Sequence, residues 1–305
     1  MATDPINLVL VYRPNAVGVD DFNQIGRRIR EVADNINVYV QKDEVPGGAL
    51  LDELAQHPTL VFSPLAMHSF HVRRGRVYCG RPMQKSEQLL RLELAGVPVP
   101  QWTSLHRGKR FDPAVWGEHV IVKPEIGSAG RGVSVHETRW LNEHSATFKP
   151  FARNGHNFIV QKIVRNPEIS KMRVQVLFDE VLCSYRYRYP DSVDPGTEEN
   201  LELFQKHFIT FNNIPEFYCS DTISEQARRC YLAFDGVALL ALDLVLDDSG
   251  DHYFIEANPG GNTWHYSSEY MGDKLTRHGI FLEQQFGAFE RAGDVLARRA
   301  QEEAL

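Results

Sequence analysis

The segment 238–262, ALLALDLVLDDSGDHYFIEANPGGN, constrains this chain more than any other. LALDLVL and HYFIEAN are rich in β-forming residues and are parted by the turn sequence DDSGD, so the stretch reads as a β-hairpin. Side chains that share a face of two adjacent strands converge across the ladder, which brings Asp243, Glu256 and Asn258 together. Two carboxylates and an amide oxygen are hard ligands, and so small a protein set leaves coordination positions to phosphate oxygens and water, as magnesium at a nucleotide requires. An aspartate inside LALDLVL is costly to bury unless a cation or hydrogen bonds compensate it. The plain alternative is a solvated hairpin whose acids are incidental.

Residues 120–135, VIVKPEIGSAGRGVSV, read as a strand ending in Lys123, a loop holding Gly127, Gly130 and Gly132, and a second strand. This is the composition of a phosphate cover. Glycines let the backbone approach phosphate oxygens, Ser128 offers a hydroxyl, and Lys123 supplies a point charge for the α- and β-phosphates. A flexible glycine turn has the same composition. The P-loop pattern G-x-x-x-x-G-K-[ST] is absent, and no strand-GxGxxG-helix unit is evident.

The order of these parts resembles the ATP-grasp superfamily, in particular its carboxylate–amine ligases such as the bacterial glutamate-adding ligases, glutathione synthetase and D-alanine:D-alanine ligase. The resemblance covers the chain from Arg81 onward. It implies an α/β (α+β) architecture, the ATP-grasp fold, with a small parallel-sheet N-terminal domain and two α+β subdomains clamping the nucleotide. The expected bounds are 1–81, 82–152 for the central subdomain with the glycine loop, and 153–305 for the C-terminal subdomain with the metal site. In RPMQKSEQLLRLELAGVPVPQWTSL, Lys85 opens a helical pattern that ends at Gly96, and the resemblance implies that this lysine reaches the nucleotide phosphates. In FIVQKIVRNPEISKMRVQVLFDEVLCSYRYR, it places at Gln161, Lys162 and Val164 the hinge strand that meets adenine through backbone groups. It matches Arg173 to the arginine of the next strand that contacts phosphate or the reacting acyl group. Asp243, Glu256 and Asn258 match the family's metal ligands at every position.

The chain departs from the glutamate-adding ligases in carrying Lys162 beside the hinge glutamine and Asn166 where ribose binds; Asn166 can hydrogen-bond a ribose hydroxyl, and Glu168 is near enough in sequence to substitute. The acid expected two positions before the arginine is Lys171, which points to a changed substrate pocket. Arg186 and Arg188, two apart on an expected strand, share a face, and either of them can hold a carboxylate or acyl phosphate. An exposed alternating strand is the competing reading. The region 189–213 is either a solvated surface loop or a lid over the acceptor. His265, in GGNTWHYSSEY, lies near the expected acceptor pocket, with a structural helix cap as the alternative; His252 is expected beside the carboxylates.

The resemblance implies an enzyme that uses ATP with one or two Mg2+ ions, Mn2+ serving as a substitute. The γ-phosphate activates a carboxylate as an acyl phosphate, an amine attacks it, and ADP and phosphate are released. The substrates implied are a small-molecule carboxylate and an amine, an amino acid or peptide, with a homodimer as a possible assembly. A small-molecule kinase and a nucleotide-binding protein without turnover use the same nucleotide motifs.

The composition agrees with an enzyme of this kind. At 305 residues and 43% hydrophobic content the chain can bury a core spanning two or three subdomains. A formal net charge of −7 argues against non-specific nucleic-acid binding. Cys79, Cys183, Cys219 and Cys230 have no C-x-x-C spacing, and no two histidines are spaced H-x-x-x-H, so neither zinc nor a disulfide framework is signalled. The apolar run after MATDPIN is too short for a signal peptide or membrane span, and a cytoplasmic protein without a membrane anchor is expected. Toward the N-terminus, 6–12, 36–40 and 59–63 read as strands, 20–33 and 49–56 as helices, and HVRRGRVYCG as a hairpin turning at Gly75. An amphipathic helix is expected over 279–300.

Overall fold

A computed structural model describes residues 4–14, 16–127, 130–148, 157–164, 170–188, 220–260, 264, 266–267, 275–276, 279 and 281–305, with the backbone alone for Ser170, Tyr187 and Arg188. Ser128, Asn166, Glu168, Cys219, Asn262, His265 and the 189–213 segment lie outside the described residues.

The first sheet holds β1 (Ile6–Tyr12), β2 (Ile36–Lys42), β3 (Thr59–Phe62) and β4 (Arg76–Tyr78), all parallel, in the order β2-β1-β3-β4. An unbroken apolar run suits a strand covered on both faces, and β1 is one. Leu8 and Leu10 join Leu60 and Phe62 under Phe22, Ile25 and Ile29 of α1 (Val19–Val32), while Val9, Val11 and Val61 pack on Leu54 and Phe70 behind. Leu54 closes the short helix α2 (Gly48–Leu54). The expected hairpin over 71–80 does not form. β4 instead adds to the sheet edge in parallel with β3, because Val77 and Tyr78 complete the ladder beside Val61 and Phe62.

The second sheet, ordered β5-β8-β6-β7, is antiparallel and comprises β5 (Trp102–Ser104), β6 (His119–Pro124), β7 (Ser134–Glu137) and β8 (Phe158–Lys162). β8 is hydrogen-bonded to both β5 and β6, so this sheet extends to Lys162, beyond the 152/153 bound expected from sequence. One face buries Val120, Val122 and Val160 against Trp116 of α4 (Pro113–Trp116) and Leu141 of α5 (Thr138–His144). Residues one position along point the other way. These are Ile121, Lys123, Ile159 and Gln161.

The third sheet contains β9 (Ser170–Leu177), β10 (Glu180–Arg188), β11 (Leu239–Leu246) and β12 (His252–Asn258) in the antiparallel order β10-β9-β11-β12. Its apolar face, with Met172, Val174, Val176, Leu240, Leu242 and Leu244, packs against Leu89 and Leu92 of α3 (Lys85–Leu94) and Ile223, Ala227 and Cys230 of α6 (Asp221–Leu232). The expected C-terminal helix is two, α7 (Leu282–Phe286) and α8 (Ala288–Glu303), divided at Gly287, where φ is 56°. Helix α8 returns to the first domain, burying Phe289, Val295 and Leu296 in the α1 core. Among the described residues Cys79, Cys183 and Cys230 are free thiols, and no helix is long and apolar enough to cross a membrane.

Candidate active site

Because neighbours directly opposed in a sheet share a face, the register of the third sheet determines which polar groups meet. Arg173 on β9, Asp243 on β11 and Glu256 on β12 stand side by side across three strands. Asn258 pairs with Ala241 two positions along, and Lys171 with Val245 on the other side, so all five occupy the face opposite the apolar core. The register slips after Asp243, which leaves Ile255 as an extra residue in β12. Two carboxylates directly opposed repel each other, and buried ones require cations. Asp243 is 1% exposed. Arg173 grips it with a fork, Nε donating to Oδ1 at 2.7 Å and Nη2 to Oδ2 at 2.8 Å, and the Lys171 ammonium lies 2.7 Å from Oδ2. Burial alone raises a carboxyl pKa, but the charges of Arg173 and Lys171 outweigh it and hold Asp243 well below the usual carboxylate range. Glu256 has its own cation, Lys85, whose ammonium is 3.1 Å from Oε1.

Lys85 starts α3, the end of a helix that disfavours a positive charge. It is nevertheless buried, and besides Glu256 its ammonium donates to the Gly127 carbonyl at 3.0 Å. It therefore ties the third sheet to the glycine loop of the second. Glu125, also buried, fixes this junction by accepting from the Ser86 amide at 2.9 Å, a carboxylate capping the helix start.

From the second sheet, Lys123 and Gln161 project toward the same space. Lys123 is 3% exposed and donates to Gln161 Oε1 at 2.6 Å. Burial, with the nearby charges of Lys171 and Lys85, pulls its pKa down to about 8 against the opposing pull of Glu256 and Asp243. Gln161 Nε2 is buried without a hydrogen-bond partner, a donor aimed into the site. In the loop above, Gly130 and Gly132 have φ of 69° and 73°, and a Cβ on Gly132 would sit 2.8 Å from the Pro124 ring. At the end of β8, Lys162 gives its backbone N–H to the Gln101 carbonyl and its ammonium to the Val115 carbonyl, and Val164 lies half-buried beyond it.

The structure thus brings together Lys85, Lys123, Gln161, Arg173, Asp243, Glu256 and Asn258. Arg186 is not among them. It pairs with Met172, one position off the Arg173–Tyr185 pair, and so faces away from the carboxylates; Arg188 pairs through its backbone with Ser170. His252 pairs with Leu246, three positions along β11 from Asp243 and on the other face, so it is not beside the carboxylates. In the sequence, Lys171 marks only a changed substrate pocket and Glu125 stands unremarked. Lys171 is separated by two from Arg173 on a strand, a spacing that already puts both on one face. Glu125 carried no comparable signal.

Three sheets in this order, with the basic, carboxylate-bearing face of the third turned toward the glycine hairpin of the second, make the ATP-grasp fold. Solved structures with this fold align over almost the whole chain. D-cycloserine synthetase DcsG is 16% identical, with a TM-score of 0.54 over 96% of this chain and 99% of its own. The macrocyclase MdnC from Microcystis aeruginosa MRC, bound with precursor peptide MdnA, is 11% identical, with a TM-score of 0.56 over 96% and 100%. A RiPP-associated ATP-grasp ligase from Chryseobacterium gregarium, in complex with ADP and a leader and core peptide, is 13% identical, with a TM-score of 0.56 over 96% and 97%. No protein-family model and no curated protein sequence matches the chain.

Proposed function

We propose that this protein is an ATP-dependent carboxylate–amine ligase that forms an amide or peptide bond and releases ADP and phosphate. The observation that carries the reading is a surplus of positive charge, two of its members buried: Lys85, Lys123, Lys171 and Arg173 converge on Asp243 and Glu256, and Lys123 is held so far from water that its pKa falls to about 8. A protein keeps such a group where a polyanion supplies the missing charge. The orphaned Gln161 Nε2 is a further donor for that ligand. Fold neighbours described with ADP and a peptide support a nucleotide together with an amino-acid or peptide substrate.

Glu256 and Asn258, with Asp243 beside them on the same face, offer oxygen donors whose chemistry fits a magnesium ion, with manganese as a substitute. Held there, such an ion would supply charge neutralisation to the phosphoryl group in transfer. Lys85 and Lys123 bind the phosphates, and the glycine hairpin with Gly130 and Gly132 covers them. Gln161, Lys162 and Val164 line the adenine side. A substrate carboxylate oxygen attacks the γ-phosphorus, the bond to the bridging oxygen breaks, and ADP leaves. The amine nitrogen then attacks the acyl carbon, phosphate departs, and the nitrogen loses a proton. Arg173, anchored on Asp243, contributes positive charge that stabilises the acyl phosphate as it develops. No side chain is a nucleophile.

The test is ADP and phosphate release from ATP and magnesium against pooled amino acids, dipeptides and small acids, with mass spectrometry of the products and Glu256→Gln as control. A condensed product that depends on Glu256 supports the ligase and names its substrates. A phosphorylated product without condensation replaces it with a kinase.

A further inference from the structure

We infer that Lys171 stands in for one divalent cation, so that the site takes a single metal ion, on Glu256 and Asn258, and Asp243 serves as the anchor of Lys171 and Arg173. This rests on the nucleotide-site reading above. The two oxygens of Asp243 are already allotted: Oδ1 to Arg173 Nε, and Oδ2 to both Arg173 Nη2 and Lys171 Nζ, at 2.7 to 2.8 Å. Backbone register imposes this arrangement. Asp243 is directly opposite Arg173 in the β11–β9 ladder, and Lys171 is two positions away on the same strand and face. With three of its roughly four lone-pair sites taken and only 1% exposure, Asp243 is ill-suited to ligate a second ion, and an ion binding at Oδ2 must displace an ammonium that is itself only 17% exposed. Displacing it would leave a poorly solvated cation without its counterion. Glu256 differs, with one oxygen held by Lys85 at 3.1 Å and its side chain 19% exposed, and Asn258 lies on the same face.

The experiment counts Mn2+ bound per chain by electron paramagnetic resonance in the presence of saturating ADP, with ADP affinity measured in parallel. The wild-type protein is expected to bind one ion. Lys171→Gln frees one lone pair of Oδ2, which still accepts from Arg173, and is expected to bind two, Lys171→Arg to restore one, and the double variant Lys171→Gln with Asp243→Asn to return to one. Circular dichroism verifies that each variant is folded. Two ions in the wild type, or a count that Lys171→Gln leaves unchanged, overturns the inference while ADP binding sustains the nucleotide site. Absence of ADP binding sinks both.

Discussion

On the proposed reading Lys123 finds its counter-charge in a ligand, which makes nucleotide binding sensitive to pH. Its pKa of about 8 lies below the ordinary lysine value, so the penalty for burying its charge is full below pH 8 and is relieved as pH rises from 8 toward 10.5. Bound phosphate reverses the penalty and restores the proton. ADP affinity is therefore expected to fall above pH 8, with proton uptake visible by calorimetry in two buffers of different ionisation enthalpy, and Lys123→Arg is expected to remove the inflection. An affinity that stays flat from pH 7 to 9.5 would contradict the role given to Lys123. At Glu256, substitution by Gln is expected to lower turnover by at least about a hundredfold, the scale of losing one preorganised electrostatic partner, with the melting temperature little changed. Asp43, in the first domain, is a purely structural case. Burial pushes its pKa up, but the amides of His68, Ser69 and Phe70 and the Arg13 guanidinium prevail and lower it to about 2. It contributes about 2 kcal/mol of stability that is complete above its unfolded pKa and lost as pH falls through 2. Urea titrations between pH 2 and 6 should show Asp43→Asn closing on the wild type at the acid end. Most of the candidate site was legible in the residues because β-strand alternation and glycine spacing are local. Arg186 misled because the choice between it and Tyr185 depends on register with Arg173, a relation between strands that no single strand contains.

Two elements carry the third sheet into the first domain. The β9–β10 turn brings Phe178 into the α1 core, where its ring meets Tyr78 edge-on at 4.9 Å and lies 5.2 Å beneath the Arg299 guanidinium. Its backbone is left-handed, φ 53°, unusual for a residue with a bulky side chain. The burial outweighs the strain. Phe178→Ala is expected to cost at least about 3 kcal/mol through the lost ring. Phe178→Gly should be the more stable of the two by about 1 kcal/mol, reversing the usual order, because glycine removes the strain that alanine keeps. Denaturant unfolding of both variants decides it, and an alanine variant equal to or more stable than the glycine one would show that the turn stores no strain. The second element is the exit of β12. The Arg81 amide donates to the Pro259 carbonyl at 2.7 Å, and a Cβ on Gly260 would lie 2.6 Å from the Arg81 nitrogen. No part of the hairpin sequence announces this contact, because Gly260 is needed for backbone passing near it from far along the chain.

At the scale of the molecule, the cores group the sheets unequally. Leu8, Leu10 and Phe62 of the first sheet share one core with Leu177, Phe178 and Leu182 of the third and with α8, whereas Val120, Val122 and Val160 of the second sheet close over Leu105, Phe111, Trp116 and Leu141, and Ile159 on its other face joins the core of the third. The parallel β-α-β start and the β6–β7 and β11–β12 hairpins were legible in the sequence because each buries a locally periodic pattern, whereas the hairpin expected over 71–80 does not form. The return of α8 to α1 and the membership of β8 in the central sheet were not, since both depend on where a distant partner lies. The consequence is a divided cooperativity. Leu296, fully buried in α8, is expected to cost about 3 kcal/mol on replacement by alanine, and the loss should be felt together in β1, β3 and the β9–β10 turn. Leu141→Ala, in α5, should speed amide hydrogen exchange in β6 and β7 while sparing β1 and β3. Native-state exchange on the two variants separates these outcomes. If each substitution accelerates exchange in all three sheets alike, the molecule opens as one unit, and the central sheet cannot move as a cover over the nucleotide independently of the other two.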